Sequence, residues 1–248
     1  MNIFIENDPK KLGEAAGKNA AHLIKQVISE KGQANIILAT GTSQFETLKQ
    51  LIDDKEIDWS KVVMFHLDEY IGLPETEPAS FRKYLKERFL NNVAPLQAVH
   101  LVDGEASDPQ EECERLGKII AENPIDIALV GIGENGHLAF NDPPADFNTE
   151  KAYLVVDLEA GCRMQQFAEG WFKSIDEVPK KAISMSVKQI MSSKHIICSV
   201  PDSRKAEAVK NSIEQPISNL YPASILQAHT NCTYYFDKAS AHFLQVEP

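Results

Sequence analysis

The chain has 248 residues, 43% hydrophobic and 25% charged, with a formal net charge of −11. Such a composition supports a soluble α/β protein with a substantial core, as one large domain or two small ones. The acidic field speaks against nucleic acid or an anionic membrane as partner, because basic residues such as Lys180-Lys181 and Arg204-Lys205 come in pairs rather than runs.

In chain order, short apolar runs alternate with amphipathic stretches. Asn2–Ile5 reads as a strand, and Pro9–Lys31 as a helix with Leu12, Ala16, Ala20, Ile24, Val27 and Ile28 at helical spacing. The start, Met1 to Pro9, carries Glu6 and Asp8 and does not read as a signal peptide. A strand at Asn35–Leu38 is followed by a helix from about Gln44 to Ile52, and a third strand spans Val62–His66. Ser80–Leu90 reads as a helix capped by Ser80, Val99–Val102 as a weak strand, Asp108–Asn123 as a helix and Asp126–Val130 as a buried strand. Ala182–Met185, His195–Val200 and Cys232–Phe236 read as further strands, with helices near Val187–Met191, Ser203–Ser212 and Ala223–His229. This alternation predicts a single domain over 1–248: an open, mostly parallel, Rossmann-like sheet with helices on both faces. Cys113, Cys162, Cys198 and Cys232 form no CxxC pair and fit reduced thiols of a cytoplasmic protein. No apolar run approaches the roughly 18–20 residues of a membrane span.

In open α/β sheets ligands bind at the carboxyl ends of the strands, so the loops after them carry the functional reading. Thr40, Gly41, Thr42 and Ser43 join a buried strand to a helix. Gly41 permits a sharp turn, and the hydroxyls and helix N–H groups suit a phosphate, although a plain helix start has the same composition. Asp68 and Glu69 close the third strand; a buried acid there suits a general base, and a helix cap or solvated rim acid is the alternative.

After Asp126–Val130 the sequence GIGENGHLAFNDP places three glycines within six residues. His137 follows, with Asn135 before it and Asp142 five residues after it, a set suited to proton transfer near neutral pH or to a purely structural loop. The GxGxxG spacing at 131–136 opens no helix, which argues against a dinucleotide. His137 and Asp142 give two donors where a metal needs three or more, so no metal is expected.

Together LATGTS, HLDEYIGLP with the following PASF, and GIGENGHLAFNDP resemble the glucosamine-6-phosphate deaminase/isomerase family, within a superfamily that includes 6-phosphogluconolactonases. The resemblance continues through VP at 178–179, Ala182–Val187, PDSRKAEAV at 201–209 and ASILQAH at 223–229. It implies an aldose–ketose isomerisation with loss of ammonia from a 6-phospho-amino-sugar, glucosamine 6-phosphate or its galactosamine epimer, without a cofactor. Asp68 would move a proton between C2 and C1, and His137 would assist ring opening, supported by Asp142 and Asn135. Thr40, Gly41, Thr42, Ser43, Glu69, Gly136, Arg163 and Lys205 would contact the sugar phosphate. The alternatives on this fold are a lactonase-type hydrolase and a non-catalytic sugar-phosphate-binding domain; DEYIGLP resembles the deaminase branch.

The chain departs from that family in two places. Asp142 is a methylene shorter than the usual glutamate, and the family's phosphate-gripping second arginine has no clear counterpart in the stretch Cys162–Phe172. The residues aligned with the allosteric site of regulated members, Ala145, Ala152 and Leu154, predict no activation by an N-acetyl sugar phosphate. The oligomeric state is left open between a monomer and a homo-oligomer.

Overall fold

Alternate side chains along each central apolar run enter opposite cores, which fixes a sheet buried on both faces. The computed structural model describes residues 2–245. Seven strands form the main sheet: β1 (Asn2–Glu6), β2 (Ala34–Leu38), β3 (Val62–His66), β5 (Ala98–His100), β6 (Ile127–Val130), β9 (His195–Val200) and β10 (Cys232–Asp237), in the order β1-β10-β9-β6-β2-β3-β5. All their pairings are parallel. Ile36, Leu38, Val62, Met64, Ile127 and Leu129 face one core, and Ile37, Val63, Phe65, Ala128 and Val130 the other.

The first core is closed by α1 (Pro9–Lys31), α2 (Phe45–Asp53) and α3 (Phe81–Arg88), through residues such as Leu12, Ile24, Leu48, Leu51 and Leu85. The second is closed by α4 (Pro109–Glu122), α6 (Val187–Met191) and α7 (Ala206–Glu214), through Leu116, Ile120, Ile190 and Val209. The helix starts follow local chemistry. Asp8 accepts from the Lys11 N–H ahead of Pro9, Ser80 accepts from the Lys83 N–H, and Asp108 accepts from the Gln110 and Glu111 N–H groups ahead of Pro109. α1 ends at Gly32, whose φ of 83° closes the last turn on the Ile28 carbonyl.

The sequence does not foretell a second sheet. β4 (Asp68–Tyr70), β8 (Lys181–Met185) and β7 (Tyr153–Asp157) pair antiparallel in the order β4-β8-β7. Thus Asp68-Glu69-Tyr70 is not a loop after β3 but a strand of this smaller sheet, which packs Tyr153, Ile183 and Met185 into the second core. A third cluster of Tyr70, Phe81, Phe140, Leu158 and Cys162 joins it to α3 and to α5 (Ala160–Ala168), a helix the sequence reading leaves unassigned. The helix expected at Ala223–His229 is a 3-10 stretch, Pro222–Ala228. No described helix is long and apolar enough to cross a membrane.

At the amino end of β6 the Asp126 carboxylate is fully buried. It accepts the Asn35 N–H at 2.8 Å and pairs with Lys31 at 2.7 Å and Lys194 at 3.3 Å, tying together the entries of β2, β6 and β9. Asp126→Ala leaves the Asn35 N–H without its acceptor. We expect a loss of about 1–3 kcal/mol in urea unfolding, with ligand binding at the opposite end of the sheet unchanged.

Candidate active site

Loops at the carboxyl ends of β2, β3, β6 and β9, four adjacent strands, surround one cavity. Thr40, Gly41, Thr42 and Ser43 form one wall. Gly41 has φ 91°, a backbone conformation that favours glycine, and its carbonyl accepts from the Gln44 N–H at 3.2 Å and the Tyr84 hydroxyl at 2.9 Å. The chain then runs through a 3-10 turn, Thr42–Gln44, into α2.

Lys205 reaches the same wall from the segment after β9. Its side chain is 6% exposed, and its Nζ lies 3.8 Å from Glu134 Oε1 and 4.0 Å from Glu169 Oε1. Both separations exceed hydrogen-bond length, so the ammonium is charge-balanced but its N–H groups are still available to a ligand. Burial draws its pKa below the usual lysine value, against the pull of Glu169 and Glu134.

Asp68 and Glu69 have opposite fates although they are neighbours. Asp68 lines the cavity, and burial, with Glu69 adding to it, raises its pKa from 3.8 to about 8; no hydrogen bond opposes the shift. Glu69, fully buried, accepts from the Tyr70 and Phe81 N–H groups on one oxygen, and from the Ser80 hydroxyl, the Arg82 N–H and Arg82 Nε on the other. Glu69 is therefore not a substrate contact: its lone pairs are spent holding the start of α3 against β4. The cap foreseen for this acid pair belongs to Glu69, and the cavity-facing acid is Asp68.

His137 lines the cavity with its Nδ1 3.2 Å from Asp142 Oδ1, although the angle is poor for a hydrogen bond. Asn135 is outside the lining and braces the pair: its amide donates to Asp142 Oδ1 at 2.9 Å, and its carbonyl accepts the His137 N–H at 3.0 Å. Asp142 Oδ2 accepts the Glu159 N–H at 2.9 Å. Burial alone would raise the Asp142 pKa, but His137, Asn135 and the Glu159 N–H hold it below the usual value. The shorter aspartate thus still reaches the histidine. Gly133 is required by close approach, since a Cβ there would lie 2.2 Å from the imidazole.

Two further expected contacts lie elsewhere. Gly136, at φ 85°, is a turn residue whose carbonyl accepts the Ala223 N–H, and it does not line the cavity. Arg163 also points away, donating to the carbonyls of Ile175 and Val178 and so fastening α5 to the turn beyond it. In place of the missing arginine, α5 brings the buried Gln165 and Gln166, followed by Glu169, into the cavity. The sequence reading missed these three. Their one signal is polar residues at helical spacing, 165 and 169, in a segment that also buries Cys162.

Cys162 also supplies a third donor beside His137 and Asp142, all within 4.8 Å of one another. Burial and the neighbouring carboxylates raise its thiol far above the usual range. It therefore stands as a protonated neighbour of Asp142.

Comparison with known proteins shows the family and the fold. The family of glucosamine-6-phosphate isomerases/6-phosphogluconolactonase matches residues 7–235. Glucosamine-6-phosphate deaminase of Lactobacillus delbrueckii subsp. bulgaricus is 36% identical over 248 residues, covering 99% of this chain and 100% of the relative. The Bacillus thuringiensis enzyme of the same name is 35% identical, covering 96% of this chain and 87% of the relative. Among solved structures, a monomeric glucosamine-6-phosphate deaminase superposes with a TM-score of 0.89 at 32% identity, covering 98% of this chain and 100% of that one. A 6-phosphogluconolactonase from Trypanosoma brucei shares the fold, with a TM-score of 0.80 at 18% identity over 98% of each chain. With one continuous match to the family and relatives this similar over 87–100% of their length, the chain belongs to the glucosamine-6-phosphate isomerase/6-phosphogluconolactonase family.

Proposed function

We propose that this chain isomerises and deaminates glucosamine 6-phosphate, giving fructose 6-phosphate and ammonia in the cytoplasm. The observation that carries the reading is Asp68, a buried carboxyl without a hydrogen-bond partner among the described residues, in one cavity with His137 and the Lys205 ammonium. A base whose pKa sits near working pH transfers protons in both directions efficiently. The names of the relatives support the amino-sugar substrate, and the galactosamine epimer, differing only at C4, is the alternative sugar.

The phosphate would rest on the Thr40–Ser43 loop and Lys205. His137, its Nδ1 turned to Asp142, would use Nε2 to move a proton at the ring oxygen O5 and open the sugar to its C1 aldehyde. The carbonyl and the C2 ammonium make the C2 hydrogen acidic. Asp68 as carboxylate would take that proton and return it to C1. The resulting C2 imine would add one water and expel ammonia, leaving the ketose phosphate. The C2 ammonium favours the charged form of Asp68 once substrate is bound.

Ammonia release, measured side by side on glucosamine 6-phosphate and galactosamine 6-phosphate, tests the reading. We expect release from the glucosamine epimer, falling at least about 10³-fold in Asp68→Asn, since that variant has no group to accept the C2 proton. Release undiminished in the variant, or hydrolysis of 6-phosphogluconolactone without ammonia from either amino sugar, overturns it.

The Asp68 environment also predicts a stability effect with a definite sign. Its folded-state pKa is raised from 3.8 to about 8. Its contribution to stability is therefore fully present below about pH 4 and is lost as pH rises through about 8. Asp68→Asn removes this penalty, so thermal melting should show the variant gaining on the parent between pH 5 and pH 8. An identical difference at both pH values excludes the assigned shift.

Gly133→Ala should push the imidazole off its position. A displacement of about 1 Å costs on the order of 10²-fold in turnover, while the melting temperature, a property of the distant cores, should fall only slightly.

A further inference from the structure

A carboxylate beside the cation of a phosphate site needs an explanation, and Glu169 is such a carboxylate. Its side chain is 6% exposed, it lines the cavity, and it lies 4.0 Å from the Lys205 ammonium. It is held there from its own segment: Gln165 Nε2 donates to Oε1 at 2.9 Å and Trp171 Nε1 to Oε2 at 3.3 Å. Gln165 is fixed in turn, since its carbonyl accepts the Glu134 N–H of the glycine loop at 2.8 Å. Glu169 is thus locked in place rather than resting loosely on Lys205.

The charges around it do not favour a fully ionised phosphate. Lys205 and Arg204 are cationic, but Glu134 lies 3.8 Å and 3.6 Å from them, and Asp202 pairs with Arg204 at 2.7 Å. Arg204 and Lys205 both feel Glu169, and from β4 the buried, unpartnered Tyr70 hydroxyl feels it too. Glu169 and Asp202 in this wall match Arg204 and Lys205 in charge, and Glu134 behind them adds a third carboxylate, so the two cations leave no net positive charge for a dianion. A singly protonated phosphate fits better, because its one P–O–H group is a donor and Glu169 is an acceptor close enough to share the ligand with Lys205.

We infer that Glu169 is a specificity-determining residue, which accepts a hydrogen bond from the protonated phosphate of the substrate while Lys205 donates to another oxygen of the same group. The inference rests on the phosphate-binding reading given above. It makes the site selective for oxyanions that keep a proton near neutral pH. Phosphate does so in good part and its monoesters in a minor part, with a second ionisation near 6 for a monoester; sulfate does not.

Calorimetric titration of the purified protein with inorganic phosphate and with sulfate, at pH 6.5 and pH 8, tests this without reference to turnover. The parent should bind phosphate at least about tenfold more tightly than sulfate at pH 6.5, a difference in the range set by one charge-assisted hydrogen bond. Phosphate affinity should fall toward pH 8, and sulfate affinity should change less. Glu169→Gln, which keeps the shape and loses the charge, should bring the two anions within about twofold of each other, mainly by tightening sulfate. Equal affinities in the parent, or an unchanged ratio in Glu169→Gln, overturn the role of Glu169 and leave phosphate binding intact. Failure of both anions to bind overturns the phosphate reading and this inference with it. The parent's own phosphate-to-sulfate ratio decides the matter should the variant not fold.

Discussion

The buried carboxylate of Glu69 is the constraint on which the active-site geometry depends. A fully buried anion is tolerable only with its lone pairs filled, and five donors from Tyr70, Ser80, Phe81 and Arg82 fill them. Satisfying Glu69 pins the amino end of α3 to β4 and sets Phe81 against the cavity. It also sets a second carboxyl beside Asp68, which adds to the burial that raises the Asp68 pKa, while burial pushes the Glu69 pKa up as well, against the donors that pull it down. One structural acid thereby tunes the titration of its reactive neighbour.

The small antiparallel sheet completes this arrangement from the other side. Ser184 on β8 lies opposite Asp68 in register, and its hydroxyl accepts the Phe140 N–H. Asn141 adds bonds to the carbonyls of Leu138 and Met185. The glycine loop bearing His137 and the strand bearing Asp68 are therefore anchored to the same strand, β8. The relative position of the two proton-handling groups is set by a sheet rather than by loop-to-loop contact, as a site needing fixed geometry requires.

What was legible in the sequence followed the strength of the local signal. β2, β6 and β9 are continuous apolar runs with turn residues behind them, and Ser80 marked a helix start that the structure keeps. Thr40–Ser43, Asp68, His137 and Asp142 stood out because they follow strand ends, and Lys205 through the family resemblance; of these, Thr40–Ser43, Asp68, His137 and Lys205 line one cavity. β4 was missed because three residues carry no periodicity, and its partner β8 begins only at Lys181, 111 residues (181 − 70) beyond Tyr70 and outside any local window. Glu69 and Arg163 were misplaced for a common reason: a charged residue in a motif says that charge is needed there, and only packing shows whether ligand or backbone receives it. Gln165, Gln166 and Glu169 were missed because nothing in a helix's own sequence says which face meets a cavity.

The hydrogen bond between Gln165 and the Glu134 N–H has a wider meaning. It couples α5 to the glycine loop, and through Glu169 to Lys205, so a change at one of these positions alters the surroundings of the others. A descendant that placed an arginine on this face of α5 would gain a cation, and Glu169 would then bind the newcomer instead of balancing Lys205. The acid, its glutamine clamp and the arginine could not drift independently. Within the lineage they should change together or not at all, and the α5 face records which way of holding an anion a given branch adopted.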